Sequence, residues 1–316
     1  MSGQISLYKC ILNGMKDGRL EEGFSLPPEE GSELRFADGA RDGIVRYHML
    51  PEKLDEAGAK LMAGAVRYAA KGNARKADKA FSELGKVRRA VGMIGELQRF
   101  IMDRRDRLNA DNLYITALEL MIGSCGRETV KFALIMMALF VPDSERTKEV
   151  IRTLGLSDEF TLFSVLNMLG WEGGNAEIFA LAQKVRGWGR IHALDLLKPE
   201  TSDIREWILL NGVDNDVMPA YSALTAWEKA DVAERLYGPL TKEEFAAIGR
   251  IMEALLDEGP VAGISEIEDA EEYVLKYLSL AGSYKLGPEE LAVLDTLKNW
   301  LEAPEDPEEE RSSREE

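Results

Sequence analysis

The stretch GWGRIHALDLLKPETSDIREWILLNG, Gly187 to Gly212, gathers two of the five tryptophans, one of the two histidines and two arginines. Arginine offers a planar fork of donors to an anion, and an indole offers a large apolar face. Trp188, Arg190 and His192, with Arg205 and Trp207 further on, therefore form a candidate ligand or partner surface for an anionic or aromatic group. The same letters also read as packing. On a helix starting near Gly189, Ile191 and Leu194 share a face, and Gly187 and Gly189 leave room for a neighbouring helix on either side of Trp188. Packing is the preferred reading: Trp188 and Trp207 are expected as buried anchors between successive helices, and His192 as a hydrogen-bonded structural histidine. No residue is assigned as catalytic.

Other chemistry is thinly represented. His48 is the second histidine and stands far from the first, so a histidine-based metal site lacks ligands. The nucleophile elbow GxSxG is absent. So are the phosphate-cradling patterns GxxxxGK[ST] and a GxGxxG after a strand. Neither a cofactor nor a metal is expected. FADGARDGI, residues 36–44, reads as a turn between strands, since Asp and Gly are turn formers. Cys10 and Cys125 lack metal-site spacing and suit a reducing, cytoplasmic setting.

Charge is uneven. The chain of 316 residues carries a net −17, yet residues 67–107 hold twelve Lys and Arg against five Asp and Glu. Arg75, Lys79, Lys86, Arg88, Arg89, Arg104, Arg105 and Arg107 in this stretch are the candidates for holding nucleic acid or another polyanion, although the acidic remainder disfavours nucleic acid at long range. A membrane is not expected as a partner. The longest apolar run, Phe132 to Val141, is about half of the ~20 residues a spanning helix needs. The first residues meet charge and glycine before any long apolar run, unlike a signal peptide.

Four segments must position these residues. Residues 1–53 break short apolar runs with Gly, Pro and Asp clusters, and alternate Ile44, Arg46, His48 against Val45, Tyr47, Met49, which predicts a small, partly extended element of two or three short strands. Residues 54–108 turn to helical spacing and predict a long helical hairpin, with Gly85, Gly92 and Gly95 marking a bend or a close helix contact. Residues 109–302 predict eleven short helices. Thr241 with Glu244 and Ser265 with Glu268 fit capping boxes, Pro288 a first helical position, and Gly155, Gly170, Gly212 and Gly282 left-handed helix ends. Residues 303–316 are acidic, contain proline and are expected to be disordered.

Short helices joined by short links, as in NAEIFALAQKVRGWGRIHALDLL and ETSDIREWILLNG, resemble the HEAT and armadillo class of helical repeats over residues 109–301. The resemblance rests on pattern; repeat length is irregular and the proline and Asp-Arg ladder does not recur. It implies a mainly α fold, an α-α superhelix of stacked antiparallel helix pairs with the small N-terminal element attached. It also implies a scaffold whose members mostly bind other macromolecules. The expected function is non-enzymatic binding of a protein partner; the alternatives are polyanion binding through the basic stretch and an enzyme with an unrecognised site near Trp188, Arg190 and His192.

Overall fold

Helical periodicity in the sequence becomes helix nearly throughout. The computed structural model describes residues 5–28, 36–50, 54–142, 144–259 and 261–303, so the expected disorder of the acidic tail lies outside the described residues apart from Ala303. The described chain holds seventeen α-helices and one two-stranded ladder, a mainly α fold. It divides into two compact units, Met1–Lys198 with Asn215–Val217, and Pro199–Asp214 with Met218–Glu316.

The first unit begins with α1 (Leu7–Asn13), whose N-cap Ser6 side chain accepts from the Lys9 N–H. A hairpin follows, β1 (Met15–Lys16) paired antiparallel with β2 (Arg19–Leu20). Asp17 and Gly18 between them both take positive φ, 50° and 74°, as the tightest hairpin turns require. These two-residue strands are the only ones among the described residues.

The segment expected as a strand around Ile44 is instead helix α2 (Ala40–His48). Gly39 at φ 78° precedes it, and Asp42 lies in its first turn, where the helix dipole favours a carboxylate. Helical spacing places Asp42, Gly43 and Tyr47 towards the body of the unit, where their partners lie. Those partners override the alternation of the letters.

α3 (Glu56–Ala70) and α4 (Ala74–Val87) are joined by a short turn and pack on each other. The long second arm breaks, however. After α4 the chain passes through a 3-10 turn, Ala90–Met93, into α5 (Ile94–Met102). The break sits where the Glu128 carboxylate accepts from the Ala90 N–H (2.7 Å) and from Arg89 (2.9 Å), so a distant side chain replaces the bonds of a continuing helix. Gly85 lies against the Glu128 side chain; Gly92 and Gly95 have open space around them.

α6 (Ala110–Gly123), α7 (Arg127–Met137), α8 (Glu145–Gly155), α9 (Thr161–Met168), α10 (Gly174–Ala182) and α11 (Gly187–Leu196) complete the unit. α7 is buried along its whole length after its first residue and packs on α4, α6 and α9. α1 returns to pack on α6 and α8.

The second unit contains α12 (Ser202–Asn211), α13 (Ala220–Lys229), α14 (Val232–Arg235), α15 (Lys242–Leu255), α16 (Ala270–Leu280) and α17 (Pro288–Glu302). α15 is its centre, packed on α12, α13 and α17. The Thr241–Glu244 capping box is present and opens α15, and Pro288 opens α17. Ser265 and Glu268 form no such box: the Ser265 N–H and hydroxyl both donate to Glu258, and α16 begins after Asp269 at φ 60°. The four glycines expected as left-handed helix ends also differ, since positive φ falls on Gly18, Gly23, Gly39, Gly72 and Gly173 instead. Gly212 has φ −62°, and a Cβ there would stand 3.0 Å from the Ala226 Cβ. The same Cβ would stand 2.5 Å from the Ile208 carbonyl oxygen, so crowding by its own last turn and by α13, not a left-handed turn, requires that glycine.

Candidate functional site

Trp188 begins α11 and is packed inside the first unit, 6% exposed. Its indole lies directly over Gly43 of α2, where any Cβ would collide with the ring. Gly187 and Gly189 do admit a neighbour, as the spacing suggested, but that neighbour is the Asp158 carboxylate, whose oxygens occupy the places of both missing side chains. Burial pushes the Asp158 carboxyl up to about 7, against the opposing hydrogen bond from the Gly189 backbone. The acid is held at the start of α11 rather than in water.

His192, one turn after Trp188, is 1% exposed. Its ring lies parallel to that of Tyr47 (centroids 6.1 Å apart, planes 4° apart) and tilted against Trp188. Among the described residues neither ring nitrogen has a hydrogen-bond partner, so the hydrogen-bonded histidine expected from the sequence is a stacked one instead. Burial, with the Arg46 and Lys131 charges adding to it, drives its pKa down to about 3 and keeps the ring neutral. The Tyr47 hydroxyl donates to Asp195 (2.5 Å), and Arg46 pairs with the same carboxylate oxygen (3.1 Å), which ties α2 to α11. The Arg190 Nε donates to the Val185 carbonyl (3.0 Å), half-buried at the helix start.

Close enough for the Lys131 charge to act on His192 lies an ion network that the spacing of the residues did not suggest. Lys131 of α7 is completely buried, and its Nζ lies 2.6 Å from Asp42, 2.5 Å from Glu159 and 3.1 Å from Glu128. Arg127, one turn earlier, pairs with Asp38 and Glu159, each at 2.8 Å. Glu159 also accepts from the Gly39 N–H (2.9 Å), and Asp38 from the Leu26 N–H (2.9 Å). Both aspartates of the DGARDG run are therefore structural partners in a helix entry and first turn, not in a turn between strands.

Charge balance explains the titration of the network. Arg89, Arg127 and Lys131 face four carboxylates, those of Asp38, Asp42, Glu128 and Glu159. Burial alone would raise Glu159, but Lys131 and Arg127 outweigh it and hold the group near 2. Asp42 goes the other way: burial, helped by Glu128 and Glu159, carries it to about 7 despite Lys131. It is the carboxyl of the network that burial brings to titrate near neutrality. Such a network holds its charges inside the protein, with Lys131 wholly out of contact with solvent.

The other candidate residues stand elsewhere. Trp207 and Arg205 belong to the second unit, on α12, and both are half-buried, so Trp207 is less enclosed than expected. Arg75, Lys79 and Lys86 are exposed on α4, and Arg104, Arg105 and Arg107 are exposed after α5. Arg88 and Arg89 are half-buried, and Arg89 is committed to Glu128. The network's own signal in the sequence was Arg127, Glu128 and Lys131 entering the longest apolar run: a charge on a buried helix demands partners.

Among the described residues no group of three or more His, Cys, Asp or Glu side chains is placed to hold a metal, and no helix is long and apolar enough to cross a membrane. No protein-family model, no curated protein and no solved structure matches the chain.

Proposed function

We propose that the protein is a non-enzymatic helical scaffold that binds another protein, as helical repeats of the HEAT and armadillo kind mostly do, in the cytoplasm. One observation carries the reading. α2 is fixed on its inner side by Asp42, Gly43 and Tyr47, while Phe36, Ile44, Met49 and Leu50 in and around it are large apolar side chains left exposed, Leu50 at 88%. Large apolar side chains left exposed on and beside a fixed element offer a partner protein apolar surface to bury.

The test is a pull-down from the native host with wild type and with Met49→Ser/Leu50→Ser, both checked for an unchanged melt. The reading expects a partner recovered by wild type and lost by the variant. Equal recovery by both, or turnover in an unbiased substrate screen, overturns it.

A second reading is polyanion binding through Arg75, Lys79, Lys86, Arg104, Arg105 and Arg107, supported by the exposure of all six. Binding of this kind would fall steeply with salt as counterions are released. Absence of any DNA or RNA shift at low salt removes it.

A further inference from the structure

The second unit carries a groove of about 590 Å³ between the segment leading into α16, α16 itself and α17. Its apolar lining comes from Ile264, Ile267, Leu275 and Trp300, and Asp269 and Glu271 stand on its edge. Leu275 is 57% exposed, a large apolar side chain presented to solvent from a well-formed helix. The walls are fixed: Glu258 accepts both the N–H (2.8 Å) and the hydroxyl (2.7 Å) of Ser265, and the Tyr237 hydroxyl donates to Glu272 (2.7 Å).

The charged residues that line this groove, Asp269, Glu271 and Glu272, are all acidic. Residues 251–275 contain eight carboxylates and no Lys or Arg. The first cation after them, Lys276, is turned towards the Tyr237 ring, 5.2 Å from its centroid. A low-dielectric cleft with acidic edges concentrates cations. The chain's own residues 304–316, with seven acidic residues against two arginines, are repelled by it.

We infer that this groove docks a basic segment of a partner protein, an amphipathic stretch that sets an apolar side chain beside Leu275 and Trp300 and its Lys or Arg against Asp269 and Glu271. Apolar anchors at helical spacing in a groove are a recurring mode of peptide recognition, and the acidic edge selects the sign of the partner and speeds its capture. The inference rests on the scaffold reading and names the chemistry of one partner.

The probe is a labelled helical peptide of Leu, Ala and Lys, followed by fluorescence anisotropy on the full chain, beside a counterpart with Glu in place of Lys. The Lys peptide should bind, more weakly as salt rises, and the Glu peptide should not. Leu275→Ser and Glu271→Lys, both at exposed positions, should each weaken binding by ~tenfold or more with the melt unchanged, and Glu271→Gln should fall between. Binding by these variants equal to wild type, or no binding at low salt, overturns the inference. So does self-association in sedimentation that Leu275→Ser abolishes while no peptide binds, because a second copy is then the occupant. Loss of the partner through Met49 and Leu50 reads α2 alone, so failure of the groove and failure of the scaffold reading are told apart.

Discussion

The ring of His192 lies parallel to the ring of Tyr47, 6.1 Å between centroids, with Trp188 tilted against both. Three aromatic rings from two helices thus pack together, and α2 is held to α11 by stacking, an ion pair and a hydrogen bond at once.

Trp188→Ala removes the ring that covers Gly43 and should destabilise the protein by ~3–5 kcal/mol, the usual cost of emptying a large buried aromatic site. Gly43→Ala should also destabilise, by overpacking against the same indole. Denaturant melts measure both; a Trp188→Ala protein that unfolds with wild type refutes the packing role.

His192 gives the fold a defined acid response. Its folded pKa of about 3 lies below the ordinary histidine value of 6.5, so the stability it contributes is present above pH 6.5 and is lost as pH falls towards 3. Within that window the slope reaches at most ~1.4 kcal/mol per pH unit for one proton. His192→Phe should lack this component. Identical pH dependence of the two proteins between pH 6 and 4 would count against a neutral buried ring.

Lys131→Met should cost ~3–5 kcal/mol, because Asp42, Glu128 and Glu159 lose their shared cation and one or more buried charges stand uncompensated. Asp42→Asn should cost less at neutral pH, since burial already pushes the Asp42 carboxyl up to about 7 and weakens its charged form. Equal losses for the two substitutions in urea unfolding would contradict the assigned charge balance.

Cys10 and Cys125 are far apart in sequence, yet their Sγ atoms lie 3.9 Å and 3.6 Å from one carbonyl oxygen, that of Ile5. Peroxide should oxidise one thiol to a sulfenic acid, releasing water, and the second thiol should then displace hydroxide as a second water to close a disulfide. Non-reducing electrophoresis and the mass of the cross-linked tryptic peptides check this. Oxidised protein that yields no Cys10–Cys125 peptide overturns it.

What the sequence determined by itself is local. Helix periodicity is carried by residues three and four apart, so the helices after residue 108 were legible from the letters, with the four-residue α14 overlooked. The Thr241–Glu244 box and the turn at Asp17 and Gly18 are complete within a few residues and needed nothing else. The tertiary structure decided whatever depends on distant partners. Arg127 meets Asp38 across 89 residues and Gly39 meets Glu159 across 120, and these contacts fix residues 40–48 as helix although their alternation reads as strand. The same holds for the break after α4, set by Glu128, and for the glycines flanking Trp188, which make room for Asp158. A periodic pattern records which side of an element faces inward; it does not record what is waiting there.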